Sequence, residues 1–443
     1  MTRTGTWPRR TSPGVWSNWA GNVRAHPTRT VRPATVEELA RQVRRAAEDG
    51  LRIKAVGTGH SFSAAAATDG LLVQPQGLTA VREIDRVAGT VTVEAGLPLR
   101  ELNRVLTAEG LALTNMGDIM EQTVAGAVST GTHGTGRASG SLAAQVRAVE
   151  LVLADGTVVT TSARERPELF DSARLGLGAL GVVSALTFAV EPAFLLTAQE
   201  EPMRFDRVIA EFDQFVAENE HFEFYWFPHT RGCITKRNNR SPGPAAPLPR
   251  FRGWVDDELL SNGVFRAACA LGRTVPATIP AVARLSCRAL GARSYTDTSY
   301  KVFTSPRRVR FVEMEYAVPR AAAVPALREL RRLVDRSDWR ISFPVEVRVA
   351  PADDLCLSTA SGRDTAYLAV HMYRGTDHRA YFAAVERVMT AHQGRPHWGK
   401  VHGRDAAYLA DAYPRFGEFT AVRDRLDPDR RFTNDYVRRV LGE

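Results

Sequence analysis

Two glycine-rich segments and one acid–base pair hold the residue types best suited to chemistry. The first segment is Val56-Gly57-Thr58-Gly59-His60-Ser61-Phe62, directly behind a short apolar run. The second reads Thr-Val-Ala-Gly-Ala-Val-Ser-Thr-Gly-Thr-His-Gly-Thr-Gly from Thr123 to Gly136. Glycine lets a backbone approach a ligand closely, and successive N–H groups beside Ser and Thr hydroxyls hold a pyrophosphate without a lysine. The plainer reading is a pair of tight turns. Neither segment is GxxxxGKS/T, which excludes a P-loop. Neither is a GxGxxG with an acidic residue about 20 positions on, which argues against an NAD-type site. His60 is either a hydrogen-bonding loop residue or a nucleophile towards a cofactor, and for His133 the residues favour a structural role.

The acid–base pair lies in Ile341-Ser-Phe-Pro-Val-Glu-Val-Arg-Val349, which alternates with period two. Phe343, Val345, Val347 and Val349 share one face, leaving Glu346 and Arg348 together on the other. Such neighbours form a salt bridge, or else line a cleft. There a carboxylate accepts bonds from hydroxyls and a guanidinium steadies developing negative charge. On the following strand His371 shares a face with Ala369 and Tyr373. Lys400 closes His397-Trp-Gly-Lys400 and is one of four lysines, with Lys54, Lys236 and Lys301, among 58 basic residues. His397 and His402 lie five apart in a loop with no carboxylate cluster, so no metal is expected.

The elements that must position these groups fall into two patterns. Up to Pro192 the chain reads as an α+β unit. Thr35 and Glu38 form a capping box for a helix ending at Gly50, and strands follow at 53–56, 71–73 and 90–94. A helix runs from Pro98 to Gly110, and Asp155-Gly156 signals a two-residue hairpin between strands 146–153 and 157–161. A strand at 182–190 closes the unit. Beyond it, helices near 203–218, 320–334 and 378–391 alternate with strands at 222–227, 311–318, 341–349 and 367–373, the pattern of an antiparallel sheet backed by helices. A proline-rich surface loop begins at Arg240. The tail from Asp405 is expected to pack back onto the body.

Length and composition set bounds. At roughly 100–200 residues per domain, 443 residues imply two or three domains, and 44% hydrophobic with 24% charged residues excludes wholesale disorder. No apolar stretch approaches the roughly 20 residues of a membrane span. The basic N-terminus has no apolar run behind it, so no secretory signal is read there. Cys233, Cys269, Cys287 and Cys356 are far apart, against a disulfide framework or a zinc knuckle. A cytoplasmic protein is expected. The net charge of +9 comes from scattered arginines rather than one basic stripe, so no nucleic-acid partner is expected. A weak attraction to anionic membrane surfaces, as a peripheral contact, fits the charge.

Five motifs occur in family order: Gly57–Ser61, Ala125–Gly136, Leu177–Val183, Pro344–Arg348 and His397–Lys400. Together the chain resembles the aldonolactone oxidoreductases of the vanillyl-alcohol-oxidase flavoprotein superfamily, from about Asn18 to Tyr436. That group includes gulonolactone and arabinonolactone oxidases or dehydrogenases, with alditol oxidases as close relatives. The resemblance implies an N-terminal FAD-binding domain of the PCMH type (1–195), a C-terminal substrate cap built on an antiparallel sheet (196–404), and a segment packing back on the body (405–443). Val56, Gly57, Thr58, Gly59, His60, Ser61 and Phe62 would wrap the FAD pyrophosphate. Gly117, Asp118, Thr123, Gly126, Ala127, Gly131, Thr132, His133, Gly134 and Gly136 would follow the cofactor towards the flavin, with Gly181 and Val183 beside it. His60 matches the histidine that many relatives link covalently to the flavin.

By the same resemblance Glu346, Arg348 and Lys400 are catalytic, and Thr123 and His371 touch substrate. The implied reaction oxidises a secondary alcohol of an aldonolactone by hydride transfer to flavin N5, with dioxygen or a redox carrier as acceptor. Glu346 would hold the hydroxyls, and Arg348 and Lys400 would steady negative charge. As a base, Glu346 needs burial to raise its pKa, against the pull of Arg348. The alternatives are an alditol or secondary-metabolite sugar oxidase and, in another class, a non-catalytic basic binding protein.

Overall fold

The computed structural model describes residues 14–249 and 262–443. Helix α1 (Val36–Glu48) starts where Thr35 accepts the Glu38 N–H at 3.2 Å. Glu38 in turn accepts the Ala34 N–H at 2.8 Å, one residue earlier than a capping box requires. Gly50 ends the helix at φ +72°, in the left-handed region that glycine adopts without a Cβ penalty. The buried stripe Leu39, Val43 and Ala46 packs with a three-stranded parallel sheet of β1 (Arg29–Val31), β2 (Ile53–Ala55) and β3 (Leu71–Val73), with β3 central. Sheet pairing ends at Val56, whose N–H donates to Val73 O at 2.9 Å. The glycine-rich loop begins there.

A five-stranded antiparallel sheet stands beside it. Its strands are β4 (Val81–Asp85), β5 (Thr90–Glu94), β6 (Val146–Val152), β7 (Val158–Ser162) and β8 (Val182–Ala189), in the order β7-β6-β8-β5-β4. Helices α2 (Leu99–Ala108) and α3 (Val124–Ser129) share its core. The β6–β7 hairpin has a three-residue loop, not two. Leu153 N–H pairs with Thr157 O at 2.9 Å, Gly156 N–H donates to Leu153 O at 3.0 Å, and Gly156 sits at φ +84°. The Asp-Gly signal was read as a two-residue turn, whereas here the glycine takes the left-handed position after a tight turn.

The third sheet has eight antiparallel strands: β9 (Leu195–Arg204), β10 (His221–Trp226), β11 (Gly232–Ser241), β12 (Arg293–Thr298), β13 (Phe311–Pro319), β14 (Val345–Ala350), β15 (Thr365–Tyr373) and β16 (Arg395–Pro396). They run in the order β12-β9-β11-β10-β14-β15-β13-β16. Strands β9, β11 and β12 lie outside the strands expected, and Glu200-Glu201-Pro202 and Lys236-Arg237-Asn238-Asn239 interrupt any apolar alternation in two of them. Pro202 is tolerated because β12 pairs only as far as Glu200, so the missing N–H falls on a free edge. The strand expected over 341–349 begins only at Val345, since Pro344 cannot donate to a ladder. The helix expected over 203–218 is two, α4 (Phe205–Ala210) and α5 (Phe212–Glu218), broken at Glu211.

Those two helices, with α8 (Ala323–Asp335) and α9 (Arg379–Ala391), cover one face of this sheet over Phe222, Phe224, Val345, Val347 and Leu368. The opposite face carries the charged residues of the alternating strands. Between β11 and β12 run α6 (Phe265–Thr274) and α7 (Ile279–Ala289). The tail forms α10 (Ala406–Ala412), α11 (Phe416–Leu426) and α12 (Asp435–Leu441), which join the core of the five-stranded sheet. Asn434 Nδ2 donates to the carbonyls of Ala64, Ala65 and Ala67, and the buried Lys54 ammonium bonds Leu177, Gly178 and Phe432 carbonyls at 3.0–3.2 Å. Among the described residues no helix is long and apolar enough to cross a membrane.

Candidate active site

The loop from Gly57 to Ser61 is held from behind by its carbonyls. Trp19 N–H donates to Gly59 O at 2.7 Å, Asn18 Nδ2 to Ser61 O at 2.9 Å and Asn22 Nδ2 to Phe62 O at 2.9 Å. Its own N–H groups are left over: among the described residues the five consecutive amides of Gly57, Thr58, Gly59, His60 and Ser61 donate to nothing. Consecutive free amides in a loop form a concave anion cradle. They open on a trench of about 880 Å³ whose other wall includes Thr123, Ala125, Gly126, Thr130, Gly181 and Val183. A Cβ on Gly57 would lie 2.2 Å from Thr123 Oγ, so that approach requires glycine. Two buried polar atoms in the walls lack partners, Trp16 Nε1 and Gln122 Oε1.

The trench continues past His60, Ser61, Gln122 and Thr130 into a second cavity of about 790 Å³, lined by the charged face of the large sheet. Antiparallel register puts Glu346 of β14 opposite Ala369 of β15, and Ala369 opposite Glu315 of β13. Glu346, His371, Glu313 and Glu315 therefore face one space, while Lys400 and Asp118 reach it from loops.

Its charges form two networks. In the first, Arg348 contacts Glu346 directly, bonds Glu223 at 2.9 Å and lies 3.7 Å from Asp118, which Arg307 holds at 2.8 Å. Tyr225 OH donates to Glu346 at 3.2 Å, and Lys236 approaches Glu223 at 3.7 Å. In the second, Lys400 bonds Glu313 at 2.6 Å and lies 4.0 Å from Glu315. His371 lies 3.5 Å from Glu313, and His133 3.2 Å from Glu315. Buried charges survive desolvation only when paired, and the buried Glu223, Glu313, Glu315, Glu346 and Arg348 each have a partner of opposite charge or a histidine.

Proton affinities follow from this packing. Burial raises the Glu346 carboxyl above its ordinary range and outweighs the opposing pull of Arg348. Burial alone would also raise Asp118, but Arg307, Arg348 and Lys400 hold it well below. Burial would depress Lys400, yet Glu313 and Glu315 lift it. Burial, then the Lys400 charge, pushes His60 down to about 4, so its imidazole is neutral at physiological pH. The ring stacks on Trp19 at 5.4 Å and, among the described residues, makes no hydrogen bond.

Not every residue singled out in the sequence lines these spaces. Thr123 lies in the glycine-rich trench, away from the charged cavity, and its hydroxyl caps α3 by accepting the Gly126 N–H at 3.3 Å. Gln122, at the junction, is the polar side chain next to it that reaches both spaces. Asp118, Thr132 and His133 line the charged cavity rather than the trench. Ala127 is a core residue. Gly117, Gly131, Gly134 and Gly136 serve backbone packing: a Cβ on Gly134 would meet Met116 O at 2.1 Å, and Gly136 N–H donates to Val349 O at 2.8 Å. His402 turns away to bond Tyr436 OH at 3.0 Å. His133, Glu315 and His397 come within 4.8 Å of one another. His397 Nδ1 accepts the Gly399 N–H, so Nε2 carries the proton, and both His133 nitrogens face acceptors.

Sequence reading missed Glu223, Tyr225, Arg307, Glu313, Glu315 and Gln122. Glu313-Met314-Glu315 did carry a signal, two acids at period two inside an apolar strand. Arg307, in a loop among many arginines, carried none.

Comparison with known proteins agrees with this geometry. The D-arabinono-1,4-lactone oxidase family matches residues 186–440, and an FAD-binding domain family matches residues 27–162. L-gulono-1,4-lactone dehydrogenase of Mycobacterium tuberculosis is 43% identical over 97% of this chain and 99% of its own. Alditol oxidase of a Streptomyces species is 35% identical and L-gulonolactone oxidase of Bos taurus 32% identical, each over 96% of this chain and 98% of its own. Among solved structures, cholesterol oxidase from B. sterolicum shares the fold with a TM-score of 0.82 at 18% identity, covering 97% of this chain and 96% of that one. A flavin-binding half, a charged second half and relatives matched along almost the whole chain make this protein a member of the D-arabinono-1,4-lactone oxidase family of FAD-dependent oxidoreductases.

Proposed function

We propose that this enzyme oxidises a ring hydroxyl of an aldonolactone such as L-gulono-1,4-lactone. The observation that carries the reading is the placement of Glu346, Arg348 and Lys400 in one buried cavity that opens into a trench of five unpaired amides, with His60 at the junction. The trench fits FAD: the amides of residues 57–61 would hold its pyrophosphate, and Trp16 Nε1 and Gln122 Oε1 offer further polar contacts. Bound there, FAD supplies the hydride acceptor.

The chain supplies orientation and charge. Glu346, with Tyr225 fixing one oxygen, accepts the hydroxyl hydrogens of a polyol ring, and its raised proton affinity suits it to take the proton of the hydroxyl that reacts. Arg348 and Lys400 place fixed positive charge where that oxygen gains electron density. Glu313 and Glu315 hold Lys400 from behind, and His371 donates or accepts at the rim.

We further propose that His60 is the covalent attachment point to the flavin, because its neutral ring at the trench–cavity junction leaves a nitrogen free to act as nucleophile. All four cysteines are free thiols, which fits a cytoplasmic location. The electron acceptor is dioxygen or a redox carrier.

Two measurements test this. Acid-precipitated yellow protein should carry flavin in the pellet, and H60A should release it to the supernatant; flavin soluble in both reduces His60 to a contact. Reduction of the bound flavin by L-gulono-1,4-lactone, but not by alditols of similar size, supports the lactone reading, and the reverse preference would replace it.

A further inference from the structure

We propose that Arg307 recognises the carbonyl of the lactone ring, with Asp118 fixing its position and cancelling its charge. The inference rests on the lactone reading of the cavity and assigns a partner to the part of the substrate that does not react. Arg307 stands in the loop that enters β13, and that loop is tied on both sides of it. Ser305 N–H donates to Asp118 O at 2.9 Å, Asn262 Nδ2 donates to Pro306 O at 3.1 Å, and Asn262 Oδ1 accepts the Arg308 N–H at 2.9 Å. Asp118, in the loop between α2 and α3, takes Arg307 Nε at 3.1 Å and Nη2 at 2.8 Å on one carboxylate oxygen.

The guanidinium is therefore held while part of it stays open. Among the described residues Arg307 Nη1 has no partner. Arg307 and Asp118 both line the charged cavity, and the Arg307 side chain is 36% exposed against 9% for Arg348, so it is the more outward of the two guanidiniums there. A ligand entering from solvent meets its N–H groups.

The chemistry of a lactone says what those groups can read. Its carbonyl oxygen accepts hydrogen bonds and donates none, so the carboxylates of the cavity leave it unmatched and an N–H is required. Arg348 commits Nε and Nη2 to Glu223 and Glu346, and Lys400 is held by Glu313. Both serve the hydroxyl that reacts. Arg307 remains for the carbonyl. Asp118 decides which kind of carbonyl it takes. A bare guanidinium prefers a carboxylate, gripped two-pronged, and hydrolysis of a lactone yields such an anion, the aldonate. With its Nε–Nη2 edge taken and its charge cancelled by Asp118, Arg307 favours a neutral carbonyl instead.

The test uses the flavin-loaded enzyme and two ligands that differ at that position alone, L-gulono-1,4-lactone and the 1,4-anhydroalditol of the same configuration, in which CH2 replaces the carbonyl. Affinity for the lactone is read from half-saturation of anaerobic flavin reduction, and affinity for the anhydroalditol from competition. Wild type should prefer the lactone by about tenfold to a hundredfold. R307M should abolish that preference by raising half-saturation for the lactone, with a much smaller fall in the limiting rate, since the contact is made before and during the reaction alike. R307K keeps the positive charge beside Asp118 but loses the fork, and should lose most of the preference too. D118N should tighten inhibition by L-gulonate about tenfold, a gain that R307M/D118N should not show.

A preference that survives in R307M or R307K, with flavin still reduced by the lactone, overturns this inference alone. Equal inhibition of wild type and D118N by L-gulonate overturns the neutralising role of Asp118. Wild-type flavin that the lactone does not reduce overturns the lactone reading and this inference with it.

Discussion

The two halves of the active-site space are built from different materials. The trench at residues 57–61 is made of backbone: five amides from one short loop, aimed by carbonyls tied off behind it. The charged cavity is made of side chains from β10, β13, β14 and β15 and from loops near residues 118, 307 and 400, each balanced by others far away in sequence. Backbone donors keep their charge and place whatever side chain is attached, so that half should tolerate side-chain changes and fail when backbone space is taken. A network of paired buried charges should behave in the opposite way, since removing one partner strands the rest.

Arg348 is the strongest way to break this contrast. It pairs with the buried Glu346 and Glu223 and lies near the half-buried Asp118. R348M should lower stability by about 3–5 kcal/mol, because buried carboxylates lose their counter-charge, and should lower kcat by about a thousandfold or more. A melting temperature equal to wild type would show the network to be looser than its distances suggest. E346Q comes next. It keeps shape and leaves Arg348 paired with Glu223, so flavin content should hold and melting temperature should fall less than in R348M, while kcat falls by about a hundred- to a thousandfold. The wild-type kcat profile should lose activity on the acid side at a pH above the usual carboxylate range, and that limb should vanish in E346Q. A limb that persists would assign it to another group.

The same contrast explains what was legible beforehand. Gly57-Thr58-Gly59-His60-Ser61 announced itself because a backbone site compresses into consecutive residues with permissive glycines. Glu346 and Arg348 were legible as a pair because alternation within one strand puts them on one face. Their partners were not, because Glu223 and Asp118 meet Arg348 only through strand register and loop placement that no local pattern encodes. The glycines at 131, 134 and 136 share the cradle's composition, but a Cβ on Gly134 would meet Met116 O at 2.1 Å, a packing demand that composition alone does not show. Strands β9 and β11 were missed for a related reason, since their polar residues face solvent or pair with charges across the sheet and dilute the alternation.

A third prediction separates the halves by pH. Burial pushes His397 down to about 4, and burial with Arg439 and Arg404 nearby pushes His402 down to about 3, from an ordinary value of 6.5. A histidine whose folded pKa is depressed binds protons more weakly in the native state. The stability gained by burying it neutral is therefore complete above pH 6.5 and is lost as pH falls towards the folded value. Melting temperature should be flat from about pH 8 to 6.5 and then fall steeply to about pH 4, at a cost on the order of 3 kcal/mol for His397. H397Q and H402Q should flatten this slope. An unchanged slope in both would place the acid-sensitive groups elsewhere.

The smallest effects belong to the backbone half, and there the sign of the rescue matters more than the size. A Cβ on Gly57 would lie 2.2 Å from Thr123 Oγ but 3.4 Å from Thr123 Cβ and 3.5 Å from its Cγ2. In an H60A background, where no covalent link holds the flavin, G57A should therefore displace the loop or Thr123 and weaken flavin retention about tenfold, a cost near 1.4 kcal/mol. Removing the hydroxyl should make room, so G57A/T123A should bind flavin better than G57A alone, although T123A loses the α3 cap and costs about 1 kcal/mol of stability. T123S keeps the oxygen and should not rescue. S61A, which leaves the amide in place, should change retention by less than about threefold. If S61A cost as much as G57A, the hydroxyl rather than the amide row would be the main contact, and the trench would belong with the charged cavity as a site made of side chains.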